Sequence, residues 1–399
     1  MHMATPRPAV PEWLKSSRSS SHIISVIRTL LQREQARASA RSTSRQRSIP
    51  SKTRRLSRGL SFTDKSDHVD HYSITAGCNP DNEACNRYMD IIPYDRTRVV
   101  ISDRGVEKGE NAPNGGRYLN ANWVRERAGG KWWIATQAPL PNTAHAFLSA
   151  LREPLAHPPA SRVVGSSPSL SPASMTSRVR TVVQLTQNIE SGMRKAHVYF
   201  PPLEGQSWIV QPEEGCLTPP LKVTLVRFQE IDYAQCIQCT VSIEPLSANQ
   251  PEPVVFQHLL YGSWPDHGVP SAEDRASFLN FVRLVDEANR DLSSQPQGVD
   301  LDPDPPIMVN CSAGVGRTGA FIALSSLLRA YGFLSPAATP PEQDPLTPSP
   351  LGPLPKELSD DLIAQEIDAL REQRPGMVQK EEQVTFIYDM LLAAFDVVA

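Results

Sequence analysis

The chain has 399 residues, 40% hydrophobic and 7% aromatic, enough for one large folded domain with tails or for two smaller ones. Its formal charge of −3 hides an uneven split: residues 1–60 carry 13 Lys/Arg against 2 Asp/Glu and the remainder 27 against 41, so a +11 arm precedes a −14 body. No apolar run approaches the ~20 residues of a membrane span, no secretory leader is recognisable, and six cysteines in a chain of this length argue against a disulfide framework.

Residues 1–79 are rich in Ser and Arg and poor in acids, and are expected to be mostly disordered, because such a composition buries too little surface to fold alone. Ile23, Ile24, Ile27, Leu30 and Leu31 fall near helical spacing and predict a helix over 22–38 that docks on the body. Mitochondrial transit peptides share the Arg/Ser-rich look. A cytoplasmic protein is expected, with nuclear or mitochondrial targeting left open.

Folded patterning covers 80–399. Runs at 181–185, 221–230, 235–243 and 254–260 predict strands. Phe278, Phe281, Val282 and Val285 share a helical face, an apolar helix spans 321–331, and a C-terminal helix ends near Phe395. Arg371 and Met377 are expected to flank the short loop before that last helix. Mixed strands and helices imply one α/β (α+β) domain. Pro/Ser-rich insertions near 157–177 and 335–356 read as loops, the second directed away from the body. Cys236-x-x-Cys239 lacks a second ligand pair for zinc. It falls in a strand-like run with Ile237, Cys239, Val241 and Ile243 on one face, where free cysteines are ordinarily buried.

Chemistry concentrates in the segment from Ile307 to Gly319. Ile307-Met308-Val309 runs through Asn310 and Cys311 into the turn Ser312, Ala313, Gly314, Val315 and Gly316, followed by Arg317, Thr318 and Gly319 and an apolar helix. Backbone N–H groups of such a turn converge on one point, and the helix N-terminus adds positive charge there. An oxyanion is the natural occupant. The same field favours thiolate at Cys311, and the planar fork of Arg317 can grip two phosphate oxygens. Gly314-x-Gly316-x-x-Gly319 also satisfies a dinucleotide fingerprint, but the acidic residue needed ~20 positions on, after a second strand, falls in a Pro-rich stretch.

The segment from Cys311 to Gly319 resembles the signature loop of classical, phosphotyrosine-specific non-receptor protein tyrosine phosphatases. Further segments match in the family's order over roughly 80–395. Trp264-Pro265-Asp266, 45 residues before Cys311 when counted from Asp266, resembles the mobile acid loop. Asp266 would then protonate the phenolate, a poor leaving group with a parent pKa near ~10, and afterwards act as base on water. Gln379 and Gln383 resemble the glutamine loop, where a glutamine orients the hydrolytic water. Arg371 to Arg374 just before adds to that match. Asn86-Arg87-Tyr88-Met89-Asp90 resembles the recognition loop, with Tyr88 as a wall that deepens the pocket and Asp90 as acceptor for substrate backbone.

Tyr118 to Asn122 and Trp133 to Leu140 resemble core strands of the fold, a twisted mixed sheet flanked by helices. The stretch Glu190–Lys195 resembles a loop whose glutamate pairs with the signature arginine and whose lysine approaches the acid loop. Thr318 would bond to the sulfur and help it leave. No metal and no cofactor is implied.

Three positions depart from the family pattern. Asn310 stands where most members have histidine, which implies a somewhat higher Cys311 pKa and slower turnover. Lys380 and Val384 replace the usual threonine and tyrosine. With the two insertions, these look like a fungal branch. In the basic arm, Lys52, Arg54 and Arg55 followed by Leu60 and Phe62 resemble a docking motif for the acidic groove of MAP kinases, with Ser57 at a basophilic kinase site. A binding module without turnover and a phosphatase of wider range remain as alternatives. The first predicts phosphopeptide bound but not cleaved; the second predicts comparable action on phosphoserine or phosphoinositide.

Overall fold

Ile307–Cys311 shows no apolar/polar alternation because both of its faces are covered, as expected of a parallel central strand. A computed structural model of the chain describes residues 9–17, 19–48, 63–102, 116–158, 176–247, 252–266, 268–295, 301–338 and 348–397. Nine strands form its main sheet: β1 (Arg98–Ile101), β2 (Arg117–Arg125), β3 (Trp132–Gln137), β4 (Thr181–Gln184), β5 (Ser207–Val210), β6 (Leu221–Ile231), β7 (Cys236–Pro245), β8 (Val254–Tyr261) and β9 (Ile307–Cys311). Their spatial order is β1-β2-β3-β9-β4-β8-β7-β6-β5. The inner four, β3, β9, β4 and β8, run parallel, and the flanking pairs are antiparallel.

Two apolar cores cover the sheet. One holds Ile307, Val309 and Cys311 with helices α3 (Arg275–Arg290), α4 (Gly316–Ala330), α5 (Leu362–Gln373) and α6 (Glu381–Val397). The other holds Met308 with α2 (Ala144–Arg152). Cys236 belongs to the first core and Cys239 to the second. Three positions apart on β7, they face opposite sides of the sheet and cannot chelate one ion. Burial pushes their thiols up to about 12 and about 11.

The arm departs from expectation. A helix, α1, runs Ser20–Ser48, well beyond 22–38, and packs on α5 and α6. Its inner stripe is Val26 and Leu30, while Ile24 and Leu31 face outward. The stripe then continues as arginines. Arg33 reaches Asp368 at 2.9 Å, and Arg37, 0% exposed, holds Asp368 and Glu372 at 2.6 Å each. A composition that buries little apolar surface thus gains its contacts by pairing basic arm with acidic body. Burial alone would raise the Glu372 carboxyl, but bonds from His71 and Arg37 hold it down to about 2. Its contribution to stability is full above the unfolded carboxylate range and is lost as pH falls toward 2. Arg37→Ala removes the fully buried cation shared by Asp368 and Glu372, which keep Arg33 and His71 respectively, and is expected to destabilise the chain by about 1.5–3 kcal/mol, the worth of hydrogen bonds to a charged group. Urea denaturation measures this, and an unmoved midpoint would mean that the arm adds nothing to the fold.

The insertions are also partly structured. The first leaves and re-enters through a ribbon pairing Leu155–Ala156 with Thr176–Ser177. The second does not simply turn away: Arg33 gathers the carbonyls of Leu351, Gly352 and Pro353, and Ser349 donates to Glu372. Arg371 lies inside α5 rather than at a loop edge. Residues 159–175 and 339–347, His267, and the arm residues Arg54, Arg55, Ser57, Leu60 and Phe62 lie outside the described residues. Among the described residues no strand follows β9, so the second strand of a dinucleotide fold is missing, and no helix is long and apolar enough to cross a membrane.

Candidate active site

All four parallel strands deliver side chains to their carboxyl edge, where open α/β sheets place ligands. β9 ends at Cys311, and α4 begins at Gly316. Between them Gly314 takes φ +71°, and a Cβ there would stand 2.0 Å from the Thr136 carbonyl oxygen, so only glycine fits the turn. Cys311 is 6% exposed at the bottom. Burial would raise its thiol. The Thr318 hydroxyl, the Arg317 charge and the N–H groups of Thr318 and Val315 outweigh burial and hold it below the ordinary value. Thr318 Oγ1 has no other hydrogen-bond partner among the described residues.

Arg317 is fixed in a fork-to-fork pair with Glu190, Nη1 to Oε1 at 2.7 Å and Nη2 to Oε2 at 2.9 Å. The second donors of Nη1 and Nη2 reach the carbonyls of Leu185 and Pro265, both at 3.0 Å. The guanidinium thus ties the acid loop to the cradle. Glu190 also accepts from Thr186 Oγ1 and the Gln187 N–H.

Asp266 lies 2.8 Å from Lys195 Nζ and 3.6 Å from Arg317 Nη2. The bond from Lys195 is the main cause that lowers its carboxyl to about 2. It is therefore an anion at neutral pH, and an arriving phosphate dianion would push it up toward protonation. Lys195→Met should raise the Asp266 pKa and, if Asp266 is the general acid proposed below, move the basic limb of the kcat/KM profile to higher pH, since a general acid must start protonated. A limb that stays in place or moves down would contradict this pairing. Trp264 anchors the loop, packed edge-on to Phe278 and tilted on Phe386, with Nε1 donating to the Gly268 carbonyl at 3.3 Å.

Tyr88 borders the mouth. Its hydroxyl and Ser312 Oγ are 2.8 Å apart, and Ser312 donates to the Lys195 carbonyl at 2.8 Å. The tyrosine is therefore the donor of the first bond. Asp90 is exposed beyond it. Gln379 and Gln383 approach from the other side: a Cβ on Gly316 would stand 3.0 Å from Gln383 Nε2 and 3.5 Å from Gln379 Cβ. Gln383 Oε1 accepts from the Lys380 N–H. Asn310 is fully buried, with Nδ2 at 3.4 Å from the Cys311 carbonyl and Oδ1 without a partner among the described residues.

Sequence reasoning gave no role to three residues that build the site. Arg374, 0% exposed, donates to the carbonyls of Gly314 at 2.8 Å and Ala313 at 3.1 Å and to the side chains of Asn120 and Asn122. Occupying those carbonyls leaves the N–H side of the turn facing inward. Asn120 in turn donates to Asn86 at 2.9 Å. Gln137, at the end of β3, accepts from the Arg87 N–H and donates to the Cys85 carbonyl, both at 2.8 Å, which pins the recognition loop. All three sat inside matched segments, but a buried polar clamp has no sequence signature of its own.

Comparison with known proteins agrees with this geometry. The family model described as protein-tyrosine phosphatase matches residues 82–153 and 174–332, more than half of the chain. The chain is 28% identical over 326 residues to tyrosine-protein phosphatase non-receptor type 18 of Homo sapiens, covering 81% of this chain and 54% of that protein. It is 29% identical over 315 residues to receptor-type tyrosine-protein phosphatase H of Homo sapiens, covering 78% of this chain and 21% of that protein. The chain thus spans from about a fifth to about half of such curated relatives. The crystal structure of the catalytic domain of human protein tyrosine phosphatase non-receptor type 18 superposes with a TM-score of 0.53 at 26% identity, covering 81% of this chain and 88% of that one. With its cradle, its sheet order and a family match over most of its folded body, the chain belongs to the protein-tyrosine phosphatase family.

Proposed function

We propose that this chain hydrolyses phosphotyrosine in proteins through a cysteinyl-phosphate intermediate. The observation that carries the reading is a lowered Cys311 thiol and a pre-fixed Arg317 fork in one cradle, with Asp266 held by the same arginine. In the first step the Cys311 thiolate attacks phosphorus, the bond to the phenolate oxygen breaks, and Asp266 gives its proton to that oxygen. In the second step water, oriented by Gln379, gives a proton to Asp266 and attacks phosphorus. The S–P bond breaks, and Thr318 bonds to the leaving sulfur. Cradle N–H groups and Arg317 hold the equatorial oxygens throughout. Tyr88 favours a long aryl phosphate over phosphoserine.

Finer parts of the reading rest on sequence alone. MAP kinases as substrates rest on Arg54, Arg55, Leu60 and Phe62, and non-receptor type rests on the resemblance of the signature and recognition loops; a cytoplasmic place of action belongs to the same proposal. A fungal lineage rests on Asn310, Lys380, Val384 and the insertions.

One assay tests the substrate claims: phosphate release from phosphotyrosine peptide, phosphoserine peptide and tyrosine-phosphorylated MAP kinase, with EDTA present. Release from both tyrosine substrates only is expected, with kinase dephosphorylation slowed when Arg54 and Arg55 are both replaced by Ala. Equal release from phosphoserine would reject the specificity, and an unaffected kinase rate would reject the docking role.

A further inference from the structure

The second insertion returns to the body through Ser349-Pro350, a step that the chemistry above does not use. Ser349 is half-buried between the exposed Pro348 and Pro350. Its hydroxyl accepts from the Leu351 N–H at 3.1 Å and gives its one proton to Glu372 Oε1 at 2.9 Å. Glu372 is where three other segments meet. The same Oε1 accepts from Tyr72 at 2.8 Å and from Arg37 of α1 at 2.9 and 2.6 Å, and Oε2 accepts from His71 at 3.1 Å. Arg33, one turn before Arg37, holds the carbonyls of Leu351, Gly352 and Pro353 just past the serine. Ser349 therefore sits where insertion, arm and α5 are fastened together.

This contact depends on a neutral donor. The Glu372 carboxyl, held down to about 2, is an anion near pH 7, and the serine hydroxyl suits it. A phosphoserine carries a charge of about −1.5 to −2 and no longer donates. Set against a buried carboxylate, it is repelled where water screens little. The neighbouring cations offer no ready alternative, because Arg33, Arg37 and Arg96 are already engaged by Asp368 and Glu372.

We propose that Ser349 is a phosphorylation site for a proline-directed serine/threonine kinase, and that its phosphate releases the arm helix α1 from α5. In the modification the Ser349 oxygen bonds to the γ-phosphorus of ATP, the bond from that phosphorus to the leaving ADP oxygen breaks, and the hydroxyl proton passes to the kinase's base. The seat of the arm reaches the loop that carries Gln379. Leu30 of α1 accepts from Arg371 Nη1 at 2.9 Å, and the same guanidinium holds the carbonyls of Met377 and Val378, both at 2.8 Å. Release of the arm is measured without an assay of turnover, so it stands or falls apart from the phosphatase reading.

The test treats the full chain with ATP and a proline-directed kinase that modifies Ser349 in the free peptide 345–354. Amide hydrogen exchange is then followed by mass spectrometry. Phosphate on Ser349 is expected, with exchange of α1 faster by about tenfold or more, as the loss of one charge-assisted hydrogen bond would shift its opening. Ser349→Ala, treated in the same way, should keep α1 protected whatever its other Ser-Pro and Thr-Pro steps take up. An unmodified Ser349 in the full chain would show that the fold hides it from the kinase, and would overturn the site. Slower exchange of α1 would show that the phosphate had gained the arginines. Unchanged exchange, or an equal rise in the alanine variant, would show that it does not act on the arm. Each of these outcomes would overturn the release.

Discussion

Replacing Cys311 with Ser is expected to abolish phosphate release while the folded chain still binds phosphotyrosine peptide. A seryl hydroxyl stays protonated in the field that favours the Cys311 thiolate, because its parent pKa lies far above that of a thiol. Losing the nucleophile of a preassembled site costs on the order of 10^5–10^6-fold in turnover. The cradle N–H groups, Arg317 and Tyr88 remain, so binding should persist within a few-fold. The measurement pairs single-turnover phosphate release with peptide binding by calorimetry. Residual release within a hundredfold of the parent would show that another group attacks phosphorus, and would remove the proposed intermediate.

Arg317→Lys carries the next largest effect, on the order of 10^2–10^3-fold in kcat, comparable to losing one preorganised oxyanion donor. The guanidinium meets four partners at once: both Glu190 oxygens, Leu185 and Pro265. An ammonium is a point charge that cannot span a carboxylate fork and two carbonyls together. The substitution should therefore lower kcat more than it raises KM, because charge on the equatorial oxygens grows toward the transition state. It should also loosen the acid loop at Pro265. If KM alone rose and kcat were preserved, Arg317 would be a uniform binding group with no share in the chemical step.

The proposed reaction centre was legible in the sequence because phosphate chemistry constrains close neighbours. The distance from Cys311 to Arg317 spans one turn and the start of one helix, and Gly314 is required by a local φ and a local close approach. Such constraints appear as spacing within a few residues. The pairings of Glu190 with Arg317 and of Lys195 with Asp266 were legible only by resemblance, and they stand at 2.7 Å and 2.8 Å. Strand and helix positions followed from periodicity, since each element needs a face for one of two cores.

The amino-acid sequence by itself therefore marked the glycine turn between Cys311 and Arg317, the proposed nucleophile within it, and the class of fold. Only tertiary structure decided how the rest is held. Arg33 and Arg37 read as solvated charges in the chain, yet they continue the inner stripe of α1, because acidic residues of α5 lie opposite them. Arg374 reads as one of several arginines, yet it sits fully buried under the cradle and orients its carbonyls. Cys236 and Cys239 read as ordinary strand cysteines, and the tertiary structure assigns each to its own core on opposite faces of the sheet. The physical reason is common to all three. The free energy of a buried charge or thiol depends on partners supplied from distant segments, and a linear pattern records the residue but not the groups that will surround it.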